Sequence, residues 1–257
     1  MWHLLKRHPV RVEAHFDFSL VLTFAFEPQV LEPLLFPGLQ LDVFERGEQS
    51  WGFVAIALVQ TRSLRPSFLP HALGQRFFLS GYRIFSRYQT PQGRTLRGLR
   101  ILRSDTDKPL MALAGNLLTH YNYKKARVDL HRSERSVEVE ISTPHGEADL
   151  NVVADLSSRP APLPAGSPFE TLDEARQFAG PLPWTFDFEE QTNSIVRIKG
   201  VRKKWDPQPV AVEIEKCSFF DKAPFQNARP VLANAFYLSD VPYQWEKGIC
   251  EKLPAQI

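Results

Sequence analysis

Amines, phenols and an imidazole are concentrated between positions 116 and 130, where the chain reads NLLTHYNYKKARVDL. If residues 121–130 form one strand, their side chains alternate between two faces, and Lys124 shares a face with Ala126 and Val128. Burial on that apolar face and the adjacent charge of Lys125 both favour a neutral amine. Because a neutral lysine can attack a carbonyl carbon, this segment predicts Schiff-base chemistry on a small carbonyl compound.

The same segment also supplies polar groups that could assist a reaction or bind a ligand. His120 could relay a proton, although a hydrogen-bonded structural histidine is the commoner case. Tyr121 and Tyr123 fall on the second strand face, where aromatic packing is the simplest interpretation. The candidate site comprises two catalytic residues followed by four binding residues: Lys124, Lys125, His120, Asn122, Tyr121 and Tyr123.

Two alternatives to catalysis remain open for the lysine pair. Lys124 could be a charged contact for an anion or carboxylate in a barrel that binds a small ligand without chemistry. Alternatively, both lysines could be ordinary solvated side chains at a strand end, with Lys124 reaching water along its own stem. A lysine that forms a Schiff base must be largely neutral near pH 7, whereas a binding lysine stays charged.

No other motif in the sequence indicates a reaction or a cofactor. The seven histidines lack metal-ligand spacing, and neither a glycine-rich phosphate loop nor a nucleophile elbow is present. The run Arg202-Lys203-Lys204-Trp205 predicts a solvated turn. We therefore predict no metal and no cofactor.

Composition narrows the class of protein and of partner. The 257 residues carry 31 basic and 29 acidic side chains, a balance that argues against a dedicated nucleic-acid binder. Two cysteines cannot form a disulfide framework, and no run of 18 uncharged apolar residues could span a membrane. We expect a cytoplasmic protein with a small-molecule partner, no nucleic acid and no membrane; a homo-oligomer stays open.

Short strands dominate the predicted elements. Strands are expected at 16–26, 39–44, 51–59, 77–88, 97–103, 121–130, 137–142, 148–156, 184–188, 194–199 and 209–217. Short helices are expected from Pro28, over 110–118 with Asp107 as N-cap, and from Thr171. The Pro-rich stretch 157–168 predicts a surface crossing within one domain over residues 1–257.

This pattern predicts a mostly β (α+β) fold, an antiparallel, barrel-like sheet with a few short helices. Closure into a barrel would remove exposed strand edges and commonly encloses a ligand cavity.

The order of three segments is similar to that of a known superfamily. FDFSLVLTFAF (16–26), the block PxxLxPLLFPGLQLD (28–42) and WGFVAIAL (51–58) resemble the acetoacetate decarboxylase-like superfamily, in particular its YqjF-like branch (domain of unknown function 2071). The resemblance covers roughly residues 15–245. It implies that Lys124 and Lys125 occupy the place of a lysine pair whose first member forms the Schiff base.

The resemblance also implies two residues that this sequence lacks. The decarboxylases place an arginine just before the first long strand, where this chain has Ala14-His15-Phe16-Asp17. They place a glutamate in the strand matching 51–58, which contains no acid here. Acetoacetate decarboxylation itself is therefore not predicted, whereas a related carbonyl chemistry or plain binding is.

Overall fold

The computed structural model describes residues 2–180 and 182–254, which are mostly β-strand. The strands are β1 (Val12–Phe26), β2 (Leu39–Leu41), β3 (Phe44–Arg46), β4 (Gln49–Pro66), β5 (Gln75–Gln89), β6 (Thr95–Thr106), β7 (Tyr123–Lys125), β8 (Arg127–Arg132), β9 (Ser136–Ser142), β10 (Leu150–Asp155), β11 (Trp184–Glu189), β12 (Ser194–Arg202), β13 (Gln208–Pro209), β14 (Ala211–Cys217), β15 (Val231–Trp245) and β16 (Ile249–Lys252). The α-helices are α1 (Pro28–Leu31), α2 (Pro109–Leu118) and α3 (Leu172–Ala179). The 3-10 helices are Trp2–Arg7, Glu32–Leu34, His71–Leu73, Glu190–Thr192 and Ser218–Asp221.

Seven long strands close into a barrel in the order β15, β1, β4, β5, β6, β11, β12. The ring closes because Gly200–Arg202 of β12 pair with Tyr243–Trp245 of β15. Neighbouring strands are antiparallel except β6 and β11, which are parallel. The predicted mostly β, barrel-like α+β fold is therefore confirmed.

A second sheet, ordered β14, β10, β9 and β8, packs against the outside of the barrel. Its strands alternate strictly, as in the SVEVEIS sequence of β9, because one face is buried and the other is in water. Val139 and Ile141 of β9 join Ile56 and Leu58 of β4 in one apolar layer between the two sheets. We call this the inter-sheet layer.

The barrel strands are apolar on both faces because their other face lines the barrel interior. Along β4, the even positions from Val54 to Leu58 enter the inter-sheet layer, and the odd positions from Phe53 to Val59 point inward. Continuous hydrophobic runs such as FVAIALV follow from this double burial.

One end of the barrel interior is filled by aromatic side chains and helix α3. Phe53 stacks on Phe169 with the ring centroids 5.5 Å apart, and Phe178 of α3 lies 5.3 Å from Phe53. Thr171 caps α3, since its side chain accepts a hydrogen bond from the Glu174 amide, which confirms the predicted start of this helix.

Helix α2 connects β6 to the parallel strand β7. Its Gly115 lies directly against the ring of Tyr123, and a Cβ at this position would overlap that ring. Asp107 is not the N-cap, which is Lys108; instead, the Asp107 carboxylate accepts a hydrogen bond from the Phe78 amide at 2.8 Å. The predicted cap is therefore wrong, because a contact with β5 replaces it.

Two strand predictions are also wrong. Residues 121–130 do not form one strand, since β7 belongs to the barrel sheet and β8 to the second sheet, with the break at Ala126. Strand β15 was not predicted at all, although it pairs with β1 along most of its length. Asp240 has φ 57° and Pro242 cannot donate a ladder hydrogen bond, so the sequence of β15 lacks a clean strand pattern.

Within the described ranges, no helix has the length and hydropathy that crossing a membrane requires. The expected single domain over 1–257 stays a prediction.

Candidate functional site

The barrel interior opposite the filled end contains a cavity of about 610 Å³. Its wall comes from inward-facing positions of the barrel strands, from one side of α2 and from the segment around His8. Most wall residues are apolar, for example Val59, Leu79 and Ile101. Pockets of this size and character commonly hold small organic ligands.

Five cationic side chains line this cavity, and none of its described lining residues is acidic. Three of the five pair with carboxylates beside the cavity. Arg65 pairs with Glu13 at 2.9 Å, Arg76 pairs with Asp17 at 3.2 Å, and Lys108 pairs with Asp107 at 3.4 Å. The two that remain are Arg83 and Arg202.

Arg83 projects into the cavity from β5. Its guanidinium lies over Gly81, where a Cβ would be 2.9 Å from Nε and 3.0 Å from Nη2, so a larger residue at this position would displace the guanidinium. The Nε atom is buried without a hydrogen-bond partner, and no described carboxylate pairs with the side chain. Burial lowers the pKa of Arg83, while the tyrosines around it act in the opposite direction.

Arg202 projects from β12, opposite Tyr243 on β15. Its Cζ atom lies 4.2 Å from the ring centroid of Trp205 and 5.4 Å from that of Tyr243. Its Nη2 donates a hydrogen bond of 3.4 Å to the Leu182 carbonyl, and no carboxylate among the described residues pairs with it. Burial lowers the pKa of Arg202, and its charge also lowers that of Arg83.

Three tyrosines face the same space. Tyr121 is 8% exposed, its hydroxyl has no described partner, and burial raises its pKa well above the usual value. Burial also raises the pKa of Tyr123, to about 12. Tyr243 completes the group, and its ring packs on Gly200, which leaves no room for a Cβ. Phenols that stay protonated can donate hydrogen bonds to a bound anion.

His8 lines the cavity beside Tyr121, with the two ring centroids 5.4 Å apart. Its Nε2 atom is buried without a described partner, and its backbone has φ 51°. Burial lowers the pKa of His8 to about 4, although nearby Asp187 acts in the opposite direction. The segment is held in place by Arg7, which pairs with Glu189 at 2.6 Å.

The six residues predicted from the sequence do not meet at one place. Tyr121 and Tyr123 line the cavity. His120 is held by Asp187, which accepts hydrogen bonds of 3.0 Å from its backbone amide and at its Nδ1 atom. Asn122 is exposed and has φ 50°.

The two lysines lie outside the cavity. Lys125 is exposed, and the Lys124 side chain is 43% exposed with its Nζ 3.6 Å from the Glu147 carboxylate. Glu147 also pairs with Arg103 at 3.1 Å, next to the inter-sheet layer. The predicted burial of Lys124 on a core face is therefore wrong. On β7, Lys124 points away from the cavity, and its amine lies at Glu147 beside the inter-sheet layer rather than in the barrel interior.

Arg83 and Arg202 were missed as functional residues. The predicted solvated turn at 202–205 holds only for Lys203 and Lys204, which are exposed, because Arg202 is still inside the barrel as the last residue of β12. For Arg83, the available signal was a single arginine within the buried run FFLSGYRIF, two residues after a glycine. A charged side chain in such a run needs either a buried partner or a cavity.

The closed barrel belongs to a known class of protein folds, the acetoacetate decarboxylase-like fold. An acetoacetate decarboxylase-like enzyme from Sphingomonas wittichii superposes with a TM-score of 0.60 at 15% identity, covering 96% of this chain and 94% of that one. Acetoacetate decarboxylase from Legionella pneumophila gives 0.57 at 14% identity, with 93% and 87% covered. The enduracididine biosynthesis enzyme MppR, complexed with the condensation product of pyruvate and imidazole 4-carboxaldehyde, gives 0.58 at 11% identity, with 94% and 89% covered.

At these identities the likeness shows the fold alone. Residues 13–241 match the model of the DUF2071 family, described as an uncharacterized conserved protein. The chain belongs to this family, which confirms the resemblance found in the sequence. No curated protein matches the sequence of this chain.

Proposed function

We propose that this chain binds a small organic anion, a carboxylate, inside the barrel cavity. The observation that carries the proposal is the pair of cavity arginines, Arg83 and Arg202, for which no described carboxylate is a partner. Two like charges in a partly desolvated space are costly without a counter-charge. A carboxylate between them would supply that charge, and the planar guanidinium group suits it.

The surrounding donors support the same ligand. The hydroxyl of Tyr121 and the Nε2 atom of His8 are buried without described partners, so each can bond a ligand atom without breaking an existing bond. A condensation product of pyruvate, itself a carboxylic acid, is the compound named for MppR, which has the same fold.

Schiff-base chemistry at Lys124 on a small carbonyl compound is the second candidate, and the likeness to decarboxylase-like enzymes favours it. On β7, however, Tyr123 faces the cavity while Lys124 reaches Glu147 on the other side. A ligand in the cavity and the Lys124 amine are thus on opposite sides of the strand. Anion binding is the better-supported function.

The test is the dissociation constant for acetate, butyrate, pyruvate and acetoacetate, measured by calorimetry. Arg83→Met should weaken binding of every acid tenfold or more, since hydrogen bonds to charged groups contribute about 1.5–3 kcal/mol. Arg94→Met, which removes one exposed charge from the turn after β5, should leave the dissociation constants unchanged.

Equal affinities in the wild type and Arg83→Met would refute the anion site. Lys124→Met distinguishes anion binding from Schiff-base chemistry, because only the second function requires the Lys124 amine. Cyanoborohydride trapping of pyruvate or acetoacetate on Lys124, absent in this variant, would instead support the Schiff-base function.

A further inference from the structure

We propose that the ligand is a carboxylic acid with a linear apolar chain of about eight to twelve carbons; this rests on the anion site of the proposed function. The carboxylate lies at Arg83 and Arg202. The chain runs between β5 and α2 to a mouth formed by the His71–Leu73 turn and the start of α2.

The cavity is much larger than a short acid requires. At about 30 Å³ per heavy atom, the share of a water molecule in the liquid, a volume of about 610 Å³ holds roughly 20 heavy atoms. Acetate or pyruvate would fill a minor part of it. The remaining space has to be occupied by more ligand or by water.

The wall beyond Arg83 is apolar. The guanidinium of Arg83 lies over Gly81, and from there the inward positions of β5 continue to Leu79 and Phe77, a distance of about 13 Å at strand rise. This stretch offers no polar side chain to a ligand. An apolar chain is therefore the part of a ligand that fits it.

Helix α2 forms the facing wall. Its cavity-lining side chains include Leu118, Ala114, Met111 and Leu110, and eight residues of helix cover about 12 Å. An extended hydrocarbon of about ten carbons covers a similar length, with bonds of about 1.5 Å. This match sets the proposed chain length.

The mouth combines two exposed leucines with cations that already have carboxylate partners, Arg76 with Asp17 and Lys108 with Asp107. Leu73 and Leu110 both line the cavity, yet they are 56% and 74% exposed. Large apolar side chains with so much surface in water commonly mark a binding site when they adjoin a pocket. A polar ligand would gain nothing from these two leucines, whereas an apolar chain entering the cavity would.

The test is the dissociation constant of saturated linear acids from acetate to dodecanoate, each below its micelle concentration. Affinity should rise about threefold to fourfold with each added CH₂ group up to about ten carbons and then level off. Decanol should bind at least tenfold more weakly than decanoate because it lacks the charge at Arg83.

Ala114→Phe, which narrows the channel, should shift the affinity maximum to shorter chains and weaken decanoate more than acetate. Leu113→Phe is the matched control, because Leu113 lies on the same helix, is 69% exposed and does not line the cavity. Arg83-dependent binding with no dependence on chain length would overturn the apolar tail but keep the anion site. Failure of every acid to bind the wild-type protein would overturn both.

Discussion

Loss of hydration on burial, rather than a charged partner, decides the direction in which the pKa values of the cavity side chains shift. Burial is the largest influence on the pKa of four of them: Arg83, Arg202, His8 and Tyr121. In the inter-sheet layer, by contrast, Arg103 is buried but pairs with Asp105 at 2.7 Å. A buried charge with a built-in partner is already neutralised within the fold, whereas one without it is available to a ligand.

His8 makes stability depend on pH. Its pKa is about 4 in the folded protein against 6.5 ordinarily, so the unfolded chain binds the proton more tightly. The contribution of neutral, buried His8 to the free energy of unfolding is fully present above pH 6.5 and is lost as pH falls from 6.5 towards 4. Between pH 7 and pH 5, the free energy of unfolding of the wild type should fall by about 1–2 kcal/mol more than that of His8→Gln. The range extends below the value for full burial because one part of the His8 ring borders the cavity.

Urea unfolding at the two pH values measures this difference. Glu147, with its pKa lowered to about 2, is present in both proteins, so its contribution cancels. The same loss in both proteins would mean that His8 is solvated in solution and does not sit beside Tyr121.

At the residue scale, the sequence predicts which side chains could take part in chemistry better than it predicts where they lie in the structure. Tyr121 and Tyr123 lie at the cavity because alternation correctly separates them from Lys124. Alternation separates two faces of a strand but cannot say which of them borders the cavity, and β7 turns its exposed Lys124 away from the barrel interior. Arg202 reaches the cavity that Arg83 also lines only because β12 closes on β15, a long-range pairing with no local signal.

At the element scale, α2 decides the shape of the cavity because it carries one wall of it. The helix is positioned by the contact of Gly115 with the ring of Tyr123. The chain just before its N-cap is held by the Asp107 carboxylate, which accepts a hydrogen bond from the Phe78 amide. A ten-residue helix is marginal by itself, so these contacts, rather than helix propensity, hold it in place.

Gly115→Ala should therefore destabilise the protein by about 1–3 kcal/mol, the usual cost of overpacking. It should also weaken anion binding, because Tyr123 or α2 must move. Alanine favours a helix over glycine by about 1 kcal/mol, so a net loss identifies the overlap as its cause. Urea unfolding and calorimetry measure both effects.

Gly180→Ala is the matched control, since the nearest atom to a Cβ at this position is the Trp205 Nε1 at 3.8 Å. We expect little change there. Unchanged stability in Gly115→Ala would show that α2 is free to move away from β7.

The elements themselves were predictable where a local pattern is clean. The run from Phe16 to Phe26, the hairpin β5–β6 and the capped helix α3 were each placed near their observed limits. Strand β15 failed because Asp240 and Pro242 interrupt it, and only pairing with β1 makes it a strand. Residues 121–130 failed because the chain changes sheets at Ala126 without a turn residue.

At the scale of the whole molecule, the barrel wall separates two apolar regions of different kinds. The inter-sheet layer is fully packed, with Val139, Ile141 and Leu150 each no more than 1% exposed. The barrel interior is packed around Phe53 and α3 and around the smaller cluster of Val196 and Ile198, and it is open at the cavity. Stability should therefore come mainly from the first region and ligand binding from the second.

Two equal truncations on opposite sides of the wall test this division. Ile141→Ala creates a new void in a packed layer and should cost about 2–5 kcal/mol. Ile101 packs against the cluster of Val196 and Ile198 on one side and borders the open cavity on the other, so Ile101→Ala should cost less, about 1–2 kcal/mol, while weakening decanoate binding several-fold. Urea unfolding and calorimetry on both variants measure this. Similar costs would mean that the barrel interior collapses around Ile101 in solution, and a collapsed interior has no room for the proposed ligand.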